Sequence, residues 1–298
     1  MRVFLTGATG FIGSYLVPEL IDAGHHVIGL SRSDAGAEAL TRAGAEVVRG
    51  DVNDLDRLRA AAAAADGVIH AAFNHDFSNL AQHSENDRQV IGTLGAALSG
   101  SDRPLIVTSG TGLARSKTGA PVVETDAPAT SAEHPRGATE EAAQALIAEG
   151  GRVMVMRLPQ VHDTRRFGRL SEQIRLARRK GWVAFVGEGA NRLPAAHVSD
   201  AVRLYRLALE NGEAGARYHA VAEEGVALRD IAEAIGAALG MPARSITPEA
   251  APDYFGPLAS LVTIDLAASG AATRGQLDWT PTGPDLLTDL RNMDDGAA

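Results

Sequence analysis

The chain has 298 residues, 45% hydrophobic and 22% charged, which suits a globular protein built as one large α/β unit or a nucleotide domain with a smaller lobe. A formal net charge of −9 disfavours nucleic acid and anionic membranes as partners, and no apolar run approaches the roughly 18 residues of a membrane span. The absence of cysteine removes disulfide and thiolate chemistry, and with no leader pattern after Met1 the expected location is cytoplasmic.

Short β-branched or apolar runs at 2–6, 25–31, 45–50, 66–72, 103–110 and 152–158 predict strands. Segments with helical spacing at 11–23, 54–64, 84–99 and 137–149 lie between them. This alternation predicts an α/β fold of Rossmann type, a doubly wound parallel sheet covered by helices on both faces. After about residue 160 the rhythm loosens. "HVSDAVRLYRLALENG" and "ALRDIAEAIGAALGM" predict amphipathic helices, with Asp near the first turn and Gly near the end. Glycine and proline clusters around 181–194 and 240–257 predict loops in a smaller C-terminal mixed α/β lobe.

Gly7, Gly10 and Gly13 fall at the first strand–helix junction, in "TGATGFIG". Gly7 permits a tight turn, Gly10 lets a pyrophosphate approach the backbone, and Gly13 lets helix and strand pack closely. The anion would sit on the amides at the helix start, where the dipole favours negative charge, with Thr9, Phe11 and Ile12 completing the turn. The competing reading is a bare strand–helix corner. The second strand ends in Ser31, Arg32 and Ser33, with no carboxylate for the ribose hydroxyls. An arginine fork with two hydroxyls can hold a 2′-phosphate, so NADP(H) is preferred over NAD(H); the competing reading is a solvated loop arginine. After the third strand, Asp51 could accept from the adenine amino group while Val52 packs on the ring, or Asp51 could simply close a turn. Residues 1–160 are therefore read as the NADP-binding domain, with return segments near 195–220, and 161–298 mainly as the substrate-binding lobe.

With these motifs in view, the sequence resembles the extended short-chain dehydrogenase/reductase superfamily, in its epimerase/dehydratase-like branch. "TGATGFIG" is similar to that branch's TGxxGxxG turn, "GDVND" to its adenine-side motif, and "HAAF" (70–73) to the loop lining the cofactor. "QVIGTLGAAL" resembles its N-V-x-G-T helix with Gln89 for Asn, "HVSDAV" its H-V-x-D segment, and "LDWTPTG" its L-G-W-x-P. The resemblance implies cofactor contacts at Ala71, Ala72, Phe73 and Thr108, and at Pro159 and Val161 beside the nicotinamide carboxamide. It also implies a small-molecule substrate and a homodimer pairing through helices 84–99 and 137–149.

The pattern breaks at the catalytic motifs. The superfamily places Ser or Thr after the fifth strand and opens the next helix with Tyr-x-x-x-Lys. Here "IVTSGTG" keeps hydroxyls at Thr108, Ser109 and Thr111 but puts Gly110 at the serine position, and "HPRGATEEAA" puts Arg136 on the tyrosine and Glu140 on the lysine. This resembles the atypical subgroups that keep the cofactor site and lack the tyrosine motif. Arginine stays protonated, so it can polarise a carbonyl but cannot deliver the proton. Ser109 or Thr111 with Arg136 would orient an acceptor, while His75, beside Asp76, or a water would supply the proton. In the competing reading Arg136 and Glu140 form an ordinary i,i+4 ion pair. Asp76, His162 and Tyr254 are candidate substrate residues, and Arg165 and Arg166 could bind an acidic substrate or be plain solvated charges. No set of residues has metal-ligand spacing. The expectation is an NADP-dependent oxidoreductase reducing a small carbonyl or similar polarised double bond. The alternatives are a catalytically silent NADP(H) sensor and, weakened by the missing tyrosine, a nucleotide-sugar epimerase or dehydratase.

Overall fold

The computed structural model describes all residues except 75–78, 115, 117–119, 295 and 298. Six strands match the predicted runs: β1 (Arg2–Thr6), β2 (His26–Ser31), β3 (Glu46–Arg49), β4 (Gly67–His70), β5 (Leu105–Gly110) and β6 (Val153–Leu158). Six more follow: β7 (Gln160–His162), β8 (Val183–Val186), β9 (Arg192–His197), β10 (Arg217–His219), β11 (Glu223–Ala227) and β12 (Ala243–Ile246). The main sheet has seven parallel strands in the order β3-β2-β1-β4-β5-β6-β10. At its centre Leu5 lies between Gly29 and Ile69. The strands are apolar on both faces because helices cover both.

The helices flanking that sheet are α1 (Phe11–Asp22), α2 (Asp34–Arg42), α3 (Leu55–Ala63), α4 (Leu80–Leu98), α5 (Gly137–Ala148) and α7 (Val198–Asn211), while α6 (Leu170–Lys180) and α8 (Leu228–Leu239) belong to the C-terminal part. On one face Leu16 and Leu20 of α1 and Val202, Tyr205 and Leu209 of α7 form a buried cluster with Val3 and Met154. On the other face Leu58, Ile91, Leu94 and Ala143 from α3, α4 and α5 pack on Phe4, Val68 and Val107. The result is a Rossmann-type doubly wound sheet.

A third core belongs to the C-terminal part. It joins Phe167, Ile174, Phe185, Ile231, Ile235, Tyr254 and Leu290. Its strands form a three-stranded sheet ordered β11-β9-β7 and a parallel pair of β8 with β12. Only Pro159 separates β6 from β7, so the chain leaves the main sheet at that residue; it returns through α7 and β10. The stretches 181–194 and 240–257, predicted as loops, contain β8, the start of β9 and β12. Gly181, Gly187 and Gly189 adopt φ of +78°, +58° and +63° and bracket a four-residue strand. The partner of that strand begins at Ala243, so no local signal marks it. Helix α2 is a further element beyond the predicted segments; it is capped by the Ser33 hydroxyl, which accepts from the Gly36 amide. Among the described residues no helix is long and apolar enough to cross a membrane.

Candidate functional site

In a parallel sheet of this order the crevice outside the strand carboxyl ends opens where the winding reverses, between β1 and β4. The Gly7 turn lies there. Gly7 has φ +73°, and a Cβ on it would stand 2.7 Å from the Ala71 carbonyl and the Ala72 nitrogen. A Cβ on Gly13 would come within 2.1 Å of the Gly7 oxygen, so both positions require glycine. At Gly10 a Cβ would meet only the Gly7 oxygen, at 3.1 Å, leaving that side of the turn open. Helix α1 starts there with no side-chain cap and no acidic residue in its first turn. This is the cradle a dinucleotide diphosphate fits: open backbone at the positive end of a helix. Phe11 and Ile12 form the first turn, half-buried, and the first turn of α2 lies beside the Thr9 methyl.

Beyond β2, Ser31 is buried and donates to the Ser33 carbonyl at 3.0 Å, while Ser33 caps α2. Both hydroxyls act within the turn. Arg32 is exposed and makes no hydrogen bond or ion pair among the described residues. Its neighbour Arg49 is held by the Ser33 carbonyl and by Asp34, at 2.7 Å for the latter. One oxygen of Asp51 accepts from the Asn53 amide and side chain at 2.9 and 2.7 Å, which closes the turn, and Val52 packs half-buried below it. Ala71, Ala72 and Phe73 run half-buried past Gly7. Pro159 is half-buried, whereas the Val161 side chain turns into the core. The Thr108 hydroxyl lies 2.6 Å from that of the buried Tyr205.

Arg136 immediately precedes α5. Its Nη1 donates to Asp87 at 2.9 Å and to the Thr139 hydroxyl at 2.8 Å, and its Nη2 donates to the Thr108 carbonyl at 3.3 Å. The guanidinium carbon stacks 3.4 Å from the centre of the Phe73 ring, in the loop that passes Gly7. Asp87 is also 2.9 Å from His70 Nε2, and His70 Nδ1 is 2.7 Å from the Thr6 hydroxyl at the end of β1. Burial pulls Arg136 below its ordinary pKa against the attraction of Asp87. Burial would raise the Asp87 carboxyl, but the bond from His70 and the nearby charges hold it low. Two of the five N–H groups of Arg136, on Nε and Nη2, have no protein acceptor among the described residues, and its side chain keeps 16% exposure.

Glu140 has other partners. Arg157 grips both its oxygens at 2.8 Å, with both side chains fully buried, and Arg217 adds a contact at 3.3 Å. The competing reading, an Arg136–Glu140 ion pair, is not realised: Arg136 bonds to Asp87 and Glu140 to Arg157. Ser109 donates to Glu140 at 2.7 Å, and Thr111 is only 3% exposed with its hydroxyl directed at the Leu158 carbonyl. Both hydroxyls expected to orient an acceptor are thus directed into the protein. His75 and Asp76 lie outside the described residues.

Residues 3–222 match the model of the NAD dependent epimerase/dehydratase family. The chain belongs to this family. It is 42% identical over 97% of its length to Uncharacterized protein C2A9.02 of Schizosaccharomyces pombe, covering 98% of that protein. It is 39% identical over 98% of its length to Uncharacterized protein YLL056C of Saccharomyces cerevisiae, again covering 98%. The fold is similar to that of DesIV, a dTDP-glucose 4,6-dehydratase from Streptomyces venezuelae solved with NAD and TYD bound, at 19% identity. The TM-score is 0.77, with 98% of this chain and 96% of that chain covered.

Within this epimerase/dehydratase-family chain, two expected substrate residues lie elsewhere. His162 is fully buried at the end of β7, with Nδ1 2.7 Å from Asp289, and Nε2 has no hydrogen-bond partner. Its ring packs edge-on against His197 at 5.7 Å, so it is a seam residue closed to ligands. Tyr254 donates to the Trp182 carbonyl and packs between Trp182 and Phe255, at 4.5 and 4.8 Å, in the third core. Arg165 is 76% exposed and pairs with Asp294 at 3.4 Å, whereas Arg166 reaches the start of α1, stacking 4.4 Å above Phe11. Sequence reading missed Asp87 and Arg157. Each left a signal: Asp87 shares the buried stripe of α4 with Ile91 and Leu94, and Arg157 interrupts the apolar run of β6.

Proposed function

We propose that the chain binds NADP(H) and reduces a small carbonyl compound or a similarly polarised double bond. The observation that carries this reading is the open Gly7–Gly10 turn with Arg136 stacked on Phe73 beside it, still offering two N–H donors. The amides at the start of α1 would hold the diphosphate, and Arg32, uncommitted at the end of β2, would hold the 2′-phosphate that separates NADPH from NADH. Bound NADPH supplies a hydride. Arg136 hydrogen-bonds to the acceptor oxygen and stabilises its negative charge as it develops. A water supplies the proton, because the guanidinium stays charged throughout. Small-molecule substrates and a homodimer across the outer faces of α4 and α5 complete the reading.

A silent NADP(H) sensor is the second reading, favoured by the confinement of Ser109 and Glu140 in a buried cluster. Nucleotide-sugar epimerisation or dehydration is disfavoured by arginine at the tyrosine position. Titration with NADPH and NADH, followed by turnover on ketones, aldehydes, enones and imines, tests these readings. Wild-type protein should prefer NADPH and turn over at least one acceptor class. Arg136→Ala should lower turnover by about 10²–10³-fold, the usual cost of one lost oxyanion donor, with NADPH affinity kept. Tight NADPH binding with no turnover on any acceptor would establish the sensor instead.

A further inference from the structure

A carboxylate interrupts the buried stripe of α4. Asp87 lies on that stripe with Ile91 and Leu94, where apolar packing has no use for a charge. Burying an ion is expensive unless hydrogen bonds and an opposite charge compensate it. Asp87 has both. Its Oδ1 accepts from His70 Nε2 at 2.9 Å, and its Oδ2 accepts from Arg136 Nη1 at 2.9 Å and from the Thr139 hydroxyl. A carboxylate can only accept, so Nε2 of His70 carries a proton. The Thr6 hydroxyl, 2.7 Å from Nδ1, fixes that orientation of the ring. Hydroxyl, imidazole and carboxylate are linked here as in a hydrolase triad, yet Thr6 is fully buried and has nothing to attack.

This chain of contacts runs along the carboxyl edge of the main sheet. Thr6 and His70 are register partners, each the last residue of its strand, on the two sides of the point where the winding reverses. His70 braces Asp87, Asp87 and Thr139 hold Arg136 Nη1, and Arg136 Nη2 returns to the sheet at the Thr108 carbonyl of β5. The Phe73 ring covers one face of the guanidinium. Two bonds on Nη1, one on Nη2 and a stacked ring fix both the position and the tilt of a planar group. The donors left over are Nε–H and one N–H of Nη2. Freed from Asp87, the side chain would regain rotamer freedom and feel the pull of Glu140 one turn along α5. A donor stabilises developing negative charge best when it is aimed beforehand and need not reorganise during the reaction.

We infer that Asp87, braced by His70, is the positioning residue of this site, holding Arg136 with its two uncommitted donors presented to the acceptor. This rests on the reductase reading above. One test is a double-mutant cycle on the acceptor that the wild type reduces fastest. Asp87→Asn should lower kcat by about 10²-fold, the scale of one lost oxyanion donor, with KM and NADPH affinity little changed. It should cost nothing further in an Arg136→Ala background, because Asp87 acts only through that arginine. The other test reads the side chain itself by NMR, in protein labelled with ¹⁵N-arginine. The Arg136 Nη signals, assigned by their loss in Arg136→Ala, should be resolved and protected from exchange in the wild type. Asp87→Asn and His70→Leu should broaden them away, whereas His70→Gln, whose amide can still donate to Asp87, should keep them. His70→Leu leaves the carboxylate in place, so it carries both tests if Asp87→Asn does not fold. A kcat loss that adds in full to that of Arg136→Ala, or Arg136 signals unchanged in the variants, overturns the inference. If the wild type turns over no acceptor, the reductase reading falls, and the arginine signals still decide whether Asp87 positions Arg136.

Discussion

Arg157 and Glu140 are both fully buried, and each carboxylate oxygen meets a guanidinium nitrogen at 2.8 Å. Burial would raise the Glu140 carboxyl, yet Arg157 and Ser109 hold it below its ordinary range. Such a pair contributes little against an apolar replacement, but losing one member strands the other. Glu140→Gln should therefore cost about 3–5 kcal/mol in urea unfolding. Restoring the reductase motif with Arg136→Tyr and Glu140→Lys should cost more, because the lysine would add a third cation beside Arg157 and Arg217. A double variant with the wild-type urea midpoint would refute this account of the cluster. The Arg136–Glu140 pair that the sequence left open as an alternative does not form, and the true partners were hidden for a physical reason. Spacing along one helix reveals only neighbours on that helix, whereas Arg136 bonds across 49 positions to Asp87 and Glu140 across 17 to Arg157.

At the scale of elements, what was legible depended on how local the cause was. The turn between β1 and α1 can be read because Gly7, Gly10 and Gly13 each answer a constraint within a few residues. The pairing of β8 with β12 cannot, because two four-residue runs become strands only when chain folding brings them together. The same turn allows its folding role to be tested apart from the binding role proposed for it. Gly13→Ala would drive a methyl to 2.1 Å from the Gly7 oxygen, so α1 must move off β1 and the thermal midpoint should fall by several degrees. Gly10→Ala meets one atom at 3.1 Å and projects into the open side of the turn. It should leave the midpoint nearly unchanged and weaken NADPH binding roughly tenfold or more, read by cofactor fluorescence. If Gly10→Ala binds NADPH as the wild type does, the diphosphate does not lie on this turn.

Across the whole molecule, His219 links the buried cluster to the C-terminal segment. Its Nδ1 lies 2.8 Å from the Ser269 carbonyl and so carries the proton; its amide donates to Thr273 at 2.8 Å, and Arg157 approaches Nε2 at 3.3 Å. A second proton on Nε2 would face the Arg157 donor, and burial opposes the charge first of all. The pull of Glu124 and Glu140 does not outweigh that, so the pKa of His219 falls below its ordinary 6.5. His197, at the seam with His162, is lowered too, again by burial first. With folded pKa values below the unfolded one, the unfolded chain takes up more protons as pH drops past 6.5, and stability declines there. Asp87 and Glu140, both held low, withdraw their contributions only on further acidification through the carboxylate range. The half-buried Glu223 is shifted upward, mainly by desolvation, and gains relative stability as it protonates, which partly offsets the loss in that lower window. The urea midpoint should therefore fall between about pH 7.5 and 5.5, before most carboxylates titrate. His219→Gln should make that fall shallower, leaving the share that belongs to His197. A pH dependence unchanged in His219→Gln would mean that the imidazole is not the group that couples acidity to the joint between sheet and C-terminal segment.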